Sequence, residues 1–366
     1  MVKLAPSYIR SIAPYVGGKP ISDLAREMGL DPNQIVKLAS NENPLGVSPN
    51  AHMAMMDAID DIARYPDGNS VELRQAVSEK FKVAPEQLVF GNGSNDILEL
   101  AARAFLAPND EVVYSQHAFA VYGLVTQAMG AKGVTVKARN FAHDLDAMLA
   151  AVTSKTRMIF VANPNNPTGT LLGKVELKSF IANTPKHVLF VLDEAYDEYL
   201  SDQDKAESIS WLSEFDNLII SRTFSKAYGL AGLRVGFGLT SVAIADLMNR
   251  VRQPFNVNSI AQAAAVASLA DDEFVERTRA LNNAGMLQIT QGLKELGLEY
   301  IPSYANFVSF KVPDAAGVNQ RLLAQGIIVR PIANYDMLEY LRVSIGLLSE
   351  NTKFLAALKN AIANPV

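Results

Sequence analysis

Five short runs, each almost uninterruptedly apolar, constrain this chain more than any other feature. They are Gln87–Phe90, Glu111–Tyr114, Met158–Ala162, Val188–Leu192 and Leu218–Ser221. A strand that is apolar at successive positions buries both of its faces, which happens in a sheet covered by helices on both sides. Segments of helical pattern follow the first two runs, at Asp96–Leu106 and around Ala120–Met129. Strand and helix in alternation predict an α/β fold with a large, mostly parallel sheet.

Beyond about residue 240 the pattern changes. Long helical stretches, Val242–Arg252 and Ser259–Leu296, precede three strand-like runs: Phe307–Lys311, Gly326–Pro331 and Tyr340–Gly346. A last helix runs through Lys353–Ala363. A chain of 366 residues has room for one large and one smaller unit. The expected division is a large domain over 36–274, a smaller α+β domain over 275–366, and residues 1–35 as an arm joining the smaller one. No internal repeat, low-complexity tract or long linker interrupts this organisation.

Composition excludes several kinds of function. The formal net charge is -5, and a mildly acidic chain lacks the basic face that nucleic acid requires. With no cysteine, a disulfide framework, a zinc–thiolate site and a cysteine nucleophile are ruled out. The histidines, His52, His117, His143 and His187, have no metal-ligand spacing, so no metal is expected. The N-terminal stretch has no uninterrupted apolar core of a secretion signal. The most apolar helical stretch, Ile260–Ala270, is too short to span a bilayer. The expectation is a cytoplasmic protein.

In open α/β sheets, ligands bind beyond the carboxyl ends of the strands. Four such ends here are polar, small or charged: Gly91–Asn95, Asn163–Gly169, Asp193–Tyr196 and Arg222–Lys226. Lys226 lies among Thr223 and Ser225, with Arg234 eight positions on. A lysine with a lowered pKa forms Schiff bases readily, and the hydroxyls and the guanidinium are phosphate donors. An exposed loop lysine is the ordinary alternative. Asp193 directly follows an apolar run, where a carboxylate is costly without a positive partner. A protonated pyridine nitrogen would serve, with Tyr196 donating to a ring oxygen. A strand-terminal magnesium ligand competes, but no G-x-x-x-x-G-K-[ST] loop accompanies it. Gly91-Asn92-Gly93-Ser94-Asn95 sits between strand and helix, where backbone N–H groups attract phosphate. It lacks the third glycine of a dinucleotide loop. In Asn163-Pro164-Asn165-Asn166-Pro167-Thr168-Gly169, two prolines and a glycine hold an asparagine amide in place. A surface turn is the plain alternative.

Taken together and in this order, these segments resemble the aspartate-aminotransferase superfamily of pyridoxal-phosphate enzymes over nearly the whole chain. The resemblance implies a Schiff base on Lys226, with Asp193 on the pyridine nitrogen and Asn166 and Tyr196 on the ring oxygen. Phe119 would stack on the ring where many relatives carry tyrosine. Ser94, Asn95, Thr223, Ser225 and Arg234 would hold the phosphate. Tyr65, in Arg64-Tyr65-Pro66-Asp67-Gly68, would reach the cofactor phosphate of a neighbouring subunit, making the functional unit a homodimer. Within the superfamily the chain looks most like the histidinol-phosphate aminotransferases. The cues are Ala13-Pro14-Tyr15, Leu38-Ala39-Ser40-Asn41-Glu42-Asn43-Pro44, Gly326–Arg330 and Leu341–Gly346. That branch implies Tyr15, Asn43, Arg330 and Arg342 on the substrate. It also implies transamination of L-histidinol phosphate with 2-oxoglutarate, giving imidazole-acetol phosphate and L-glutamate. An aromatic amino acid aminotransferase on the same scaffold is the alternative, and a threonine-phosphate decarboxylase a more distant one.

Overall fold

The computed structural model describes residues 4–15 and 17–363. The remaining residues of the expected arm and of the last domain, 1–3, 16 and 364–366, lie outside the described ones. Seven strands form the central sheet: β2 Leu88–Gly91, β3 Glu111–Ser115, β4 Lys132–Val136, β5 Thr156–Ala162, β6 Leu189–Asp193, β7 Leu218–Thr223 and β8 Gly236–Thr240. They lie in the order β2-β8-β7-β6-β5-β3-β4. Only β8 runs against its neighbours; the pairs linking β7, β6, β5, β3 and β4 are parallel. The doubly apolar runs explain themselves here. Phe190 and Leu192 belong to one core cluster, while Leu189 and Val191 belong to another on the opposite face. Successive side chains on a strand point to opposite faces, so both faces must be covered, and helices cover them.

Two strands of this sheet escape a sequence reading. β8 contains Gly236 and Gly238, which lower strand propensity. Each glycine is required by a close approach: a Cβ on Gly238 would meet Ile97 Cγ2 at 2.8 Å. β4 is an edge strand, paired only with β3 and mostly exposed, so it lacks the apolar signal of its neighbours.

The smaller layer combines an antiparallel sheet of β9 Phe307–Lys311, β12 Tyr340–Ser344 and β11 Arg330–Pro331 with a parallel pair, β1 Val36–Lys37 and β10 Ile327–Ile328. The single run expected over Gly326–Pro331 therefore divides at Val329 and serves two sheets. The helical stretch expected over Ser259–Leu296 also divides, into Ser259–Leu269 and Asp272–Glu295. Asp271 starts the second helix by accepting from Phe274 N at 3.0 Å, a side-chain cap that satisfies an otherwise orphan N–H. Helices Asp272–Glu295, Ala315–Ala324 and Leu348–Ala363 close over the small sheet around Phe310, Leu322, Phe354 and Leu358.

The N-terminal arm is shared between the layers. Leu24, Ile35 and Ala39 pack with Leu323 and Ile328, and Val36 and Leu38 join the small core, so the contact extends past residue 35. The first turn sits on the large layer instead, because Gln127 Nε2 donates to Tyr8 O at 3.0 Å and to Ser11 Oγ at 2.9 Å. Among the described residues no helix is long and apolar enough to cross a membrane, and no group of three or more His, Asp or Glu is placed to hold a metal ion.

Candidate active site

Register places the site. Ala162 is level with Asp193 and Asp193 with Ser221, so β5 and β6 end together and β7 continues to Thr223 beside them. The turn after β5, Asp193 itself and the segment after β7 therefore open into one cavity. Its wall carries Lys226, Asp193, Tyr196 and Asn166; Ser94, Asn95, Thr223, Ser225 and Arg234; and Phe119, Tyr15, Arg330 and Arg342. Residues far apart along the chain thus meet where the strand-end rule locates a ligand.

Asp193 is 5% exposed. Its Oδ2 accepts from Tyr122 Oη at 2.8 Å, while Oδ1 is buried without a partner. Burial pushes this carboxyl up to about 6, against the lowering contributions of Tyr122, the Ala195 N–H and Lys226. Lys226 Nζ donates to Ser40 O at 3.1 Å. Burial, aided by the positive charges of Arg342 and Arg234, brings its amine down to about 8 despite Glu42 and Asp193. Depressed lysines of this kind act as nucleophiles and bases near neutral pH.

The loop Gly91–Asn95 turns sharply from β2 into a helix. Gly93, at φ +82°, precedes helix Ser94–Phe105, and the N-terminus of that helix faces the cavity through Ser94 and Asn95. Arg234 approaches it, with Nη1 donating to Ser225 Oγ at 3.1 Å and Nη2 to Asn92 O at 3.2 Å. The Asn163–Gly169 turn is clamped to both layers. Asn165 Nδ2 donates to His117 O at 2.9 Å, and Ser309 Oγ donates to Pro167 O at 2.6 Å. Asn166 is thereby held against Arg342, whose Nη1 donates to Asn166 Oδ1.

Arg330 and Arg342 are cross-strand partners on β11 and β12. Both are buried, at 9% and 6% exposure. Arg342 Nη2 donates to Ala39 O at 2.9 Å, and its Nε is buried without a partner. The Arg330 guanidinium lies 5.5 Å from the centre of the Tyr15 ring.

A family model for class I and II aminotransferases matches residues 33–358. The chain belongs to this family. It is 71% identical to the histidinol-phosphate aminotransferase of Methylobacillus flagellatus, covering 98% of this chain and 97% of that one. It is 61% identical to histidinol-phosphate aminotransferase 2 of Nitrosospira multiformis, covering 98% and 92%. Among solved structures, the histidinol-phosphate aminotransferase of Sinorhizobium meliloti in complex with pyridoxal-5'-phosphate superposes with a TM-score of 0.91 at 28% identity, over 99% and 98% of the chains. An aspartate aminotransferase from Thermus thermophilus, 22% identical, shares the fold with a TM-score of 0.85 over 98% and 100%.

Two of the expected site residues, Asn43 and Tyr65, are not on the wall of this chain's cavity. Asn43 does not line the cavity. Its amide donates to Ala227 O at 2.8 Å and Thr278 Oγ1 at 2.9 Å and accepts from Leu45 N at 3.0 Å, so its polar atoms serve the fold beside Lys226 rather than a substrate. Tyr65 stands outside its own chain's cavity, 83% exposed and stacked on Phe255 at 4.8 Å between ring centres.

Other residues at the site carry no signal in the sequence. Tyr122 is fully buried, stacked on Phe160 at 4.6 Å, and reads as an ordinary core aromatic of a helix. Asn41 donates from Nδ2 to Tyr196 Oη at 2.9 Å, although it sits in a motif that points equally to Asn43. Behind the site, Arg222 pairs with Glu194 Oε2 at 2.6 Å and Asp197 Oδ2 at 2.7 Å, tying the ends of β6 and β7 together. The donor set suits a planar ring bearing a phosphate. Asp193 Oδ1 awaits an N–H, Phe119 offers a ring face, and a helix N-terminus with Arg234 offers an anion cradle.

Proposed function

We propose that this chain is a pyridoxal 5'-phosphate-dependent transaminase acting on L-histidinol phosphate and 2-oxoglutarate in histidine biosynthesis. The observation that carries the substrate reading is the opposition of Arg330 and Arg342 across β11 and β12, at the cavity that also holds Lys226 and Asp193. Like charges directly opposed on a sheet repel, so such a pair favours taking an anion between them. A guanidinium fork grips a phosphate monoester and a carboxylate equally well. An enzyme alternating between histidinol phosphate and glutamate meets both anions. Relatives 71% and 61% identical that carry the histidinol-phosphate aminotransferase name support the same reading.

When bound, the pyridoxal ring supplies an electron sink for the charge left as the substrate loses its Cα proton. Asp193, whose Oδ1 is buried without a partner, would keep a proton on the ring nitrogen. Lys226 would hold the ring through Nζ, and its free amine would take the Cα proton. Asn166 and Tyr196 would hydrogen-bond the ring oxygen, and Phe119 would pack on the ring. Ser94, Asn95, Thr223, Ser225 and Arg234 hold the cofactor phosphate, while Tyr15, Arg330 and Arg342 orient the substrate anion. Tyr65 completes the phosphate site of a second copy in a cytoplasmic homodimer.

The test is a spectroscopic titration of the purified protein with L-histidinol phosphate, beside L-phenylalanine and L-glutamate. Bleaching of the visible cofactor band by histidinol phosphate at far lower concentration than by phenylalanine is the expected result. Preference for phenylalanine would move the substrate assignment to aromatic amino acids. No visible band after adding pyridoxal phosphate would overturn the role of Lys226.

A further inference from the structure

We propose that Asn41 is a positioning residue that, oriented by Ser344, obliges the Tyr196 hydroxyl to donate its proton into the cavity. This rests on the cofactor reading above and concerns the direction of one hydrogen bond within it. Asn41 is 1% exposed, with a left-handed backbone at φ 55°, where the chain passes from the small layer to the large one. Its bonds form a closed circuit. The backbone N–H of Asn41 donates to Ser344 Oγ at 2.8 Å, and the Ser344 hydroxyl donates back to Asn41 Oδ1 at 2.9 Å. Asn41 O accepts from Asn306 Nδ2 at 3.0 Å, which pins the residue to β9's approach as well.

This circuit decides which way the amide points. With Oδ1 committed to Ser344, Nδ2 faces Tyr196 and donates to its oxygen at 2.9 Å. The reverse orientation would give Ser344 Oγ two donors and leave its proton without Asn41 as acceptor. A phenol oxygen that accepts from an N–H keeps its own proton for another acceptor. Tyr196 is 4% exposed and lines the cavity, so that acceptor is the ring oxygen of the cofactor. Burial first, and Asp193 and Tyr335 after it, hold the phenol up to about 12 against Arg342 and Asn41; the proton therefore stays in place. The charged groups facing this point are Arg342 and Asp193, with Lys226 Nζ 5.9 Å from the Tyr196 ring.

A donor to the ring oxygen withdraws negative charge that would otherwise stabilise the protonated nitrogen linking Lys226 to the ring. It therefore lowers the pH at which the visible band titrates. Asn41→Asp retains the shape and the Ser344 contact but can only accept, so the Tyr196 proton turns away from the ring. The experiment titrates the visible band of the holoenzyme with pH for the parent, Asn41→Asp, Ser344→Ala and Tyr196→Phe, and for Asn41→Asp with Tyr196→Phe. The expected result is a midpoint raised by about one pH unit in Asn41→Asp, the scale of one hydrogen bond to a charged atom. Ser344→Ala, which frees the amide to turn, moves the midpoint the same way by less. In the Tyr196→Phe background the Asn41→Asp shift largely disappears, because no phenol proton remains to redirect. A shift of equal size in that background would mean a charge effect alone and overturn the inference. Unmoved midpoints in Asn41→Asp and Ser344→Ala would overturn it too. A parent protein that forms no visible band would instead overturn the cofactor reading.

Discussion

At the scale of single residues, the site works by leaving particular atoms unpaired in places where that is costly. A buried carboxylate oxygen without a partner is costly, and Asp193 Oδ1 is such an atom. Lys226 is the complementary case, a cation in a wall that already holds Arg342 and Arg234. Burial and these two charges lower its amine to about 8 from 10.5. Lowering a lysine's pKa enlarges its neutral, reactive fraction, which rises tenfold per pH unit until the pKa is reached. For cofactor-free protein, the rate of pyridoxal phosphate capture followed by stopped-flow absorbance should climb with unit slope and level near pH 8. Levelling only near 10.5 would show an ordinary, solvated lysine.

At the scale of elements, the loop Gly91–Asn95 depends on the strand beneath it. β8 runs antiparallel under the loop, and a Cβ on Gly236 would lie 2.6 Å from Gly93 C and from Ser94 N and 2.8 Å from Arg222 O. All three are backbone atoms, which cannot swing aside as a side chain can. Gly236→Ala should therefore cost about 1–3 kcal/mol of stability by overpacking. If the N-terminus of helix Ser94–Phe105 holds the cofactor phosphate as proposed, Gly236→Ala should also weaken pyridoxal phosphate binding more than tenfold by displacing it. Gly232→Ala, with nothing within 4 Å of its Cβ, is the matched control and should change neither. Thermal unfolding and cofactor titration of the two variants measure both effects.

At the scale of the whole molecule, the exposed position of Tyr65 has a consequence that only an assembly can express. Tyr65 is 83% exposed, among other exposed apolar side chains such as Met53, Met56 and Ile62. If it completes the site of a second copy, protomers carrying Lys226→Ala and Tyr65→Ala complement each other. A mixed dimer then has one doubly defective site and one intact site. Random pairing in a two-fold dimer restores about a quarter of the parent activity per site, well above the sum of the two variants alone. Activity equal to that sum would mean that Tyr65 serves no neighbouring site.

Much of this protein is legible before folding is considered. Runs such as Val188–Leu192 announce a doubly covered sheet because every position is apolar, and Lys226, Asp193 and Asn166 stand in segments whose polarity is out of place beside such runs; Arg342 is legible only through the family resemblance. These signals are local, so sequence alone carries them. What it does not carry is contact across the chain. Gly236–Thr240 is a strand because its glycines admit Gly93, Ser94 and Ile97, not because of its own propensity. The stretch ending at Arg330 splits between two sheets because β1 and β12 claim its halves. Asn43 and Asn41 lie two positions apart in one motif, yet one is consumed by Ala227 and Thr278 while the other meets Tyr196. Asn41 and Ser344 are 303 residues apart in sequence and bonded in space. Which chemical groups are present, and which local elements carry them, follows from residue order alone. The tertiary structure decided which of their donors and acceptors are already satisfied, and that decides which remain for a ligand.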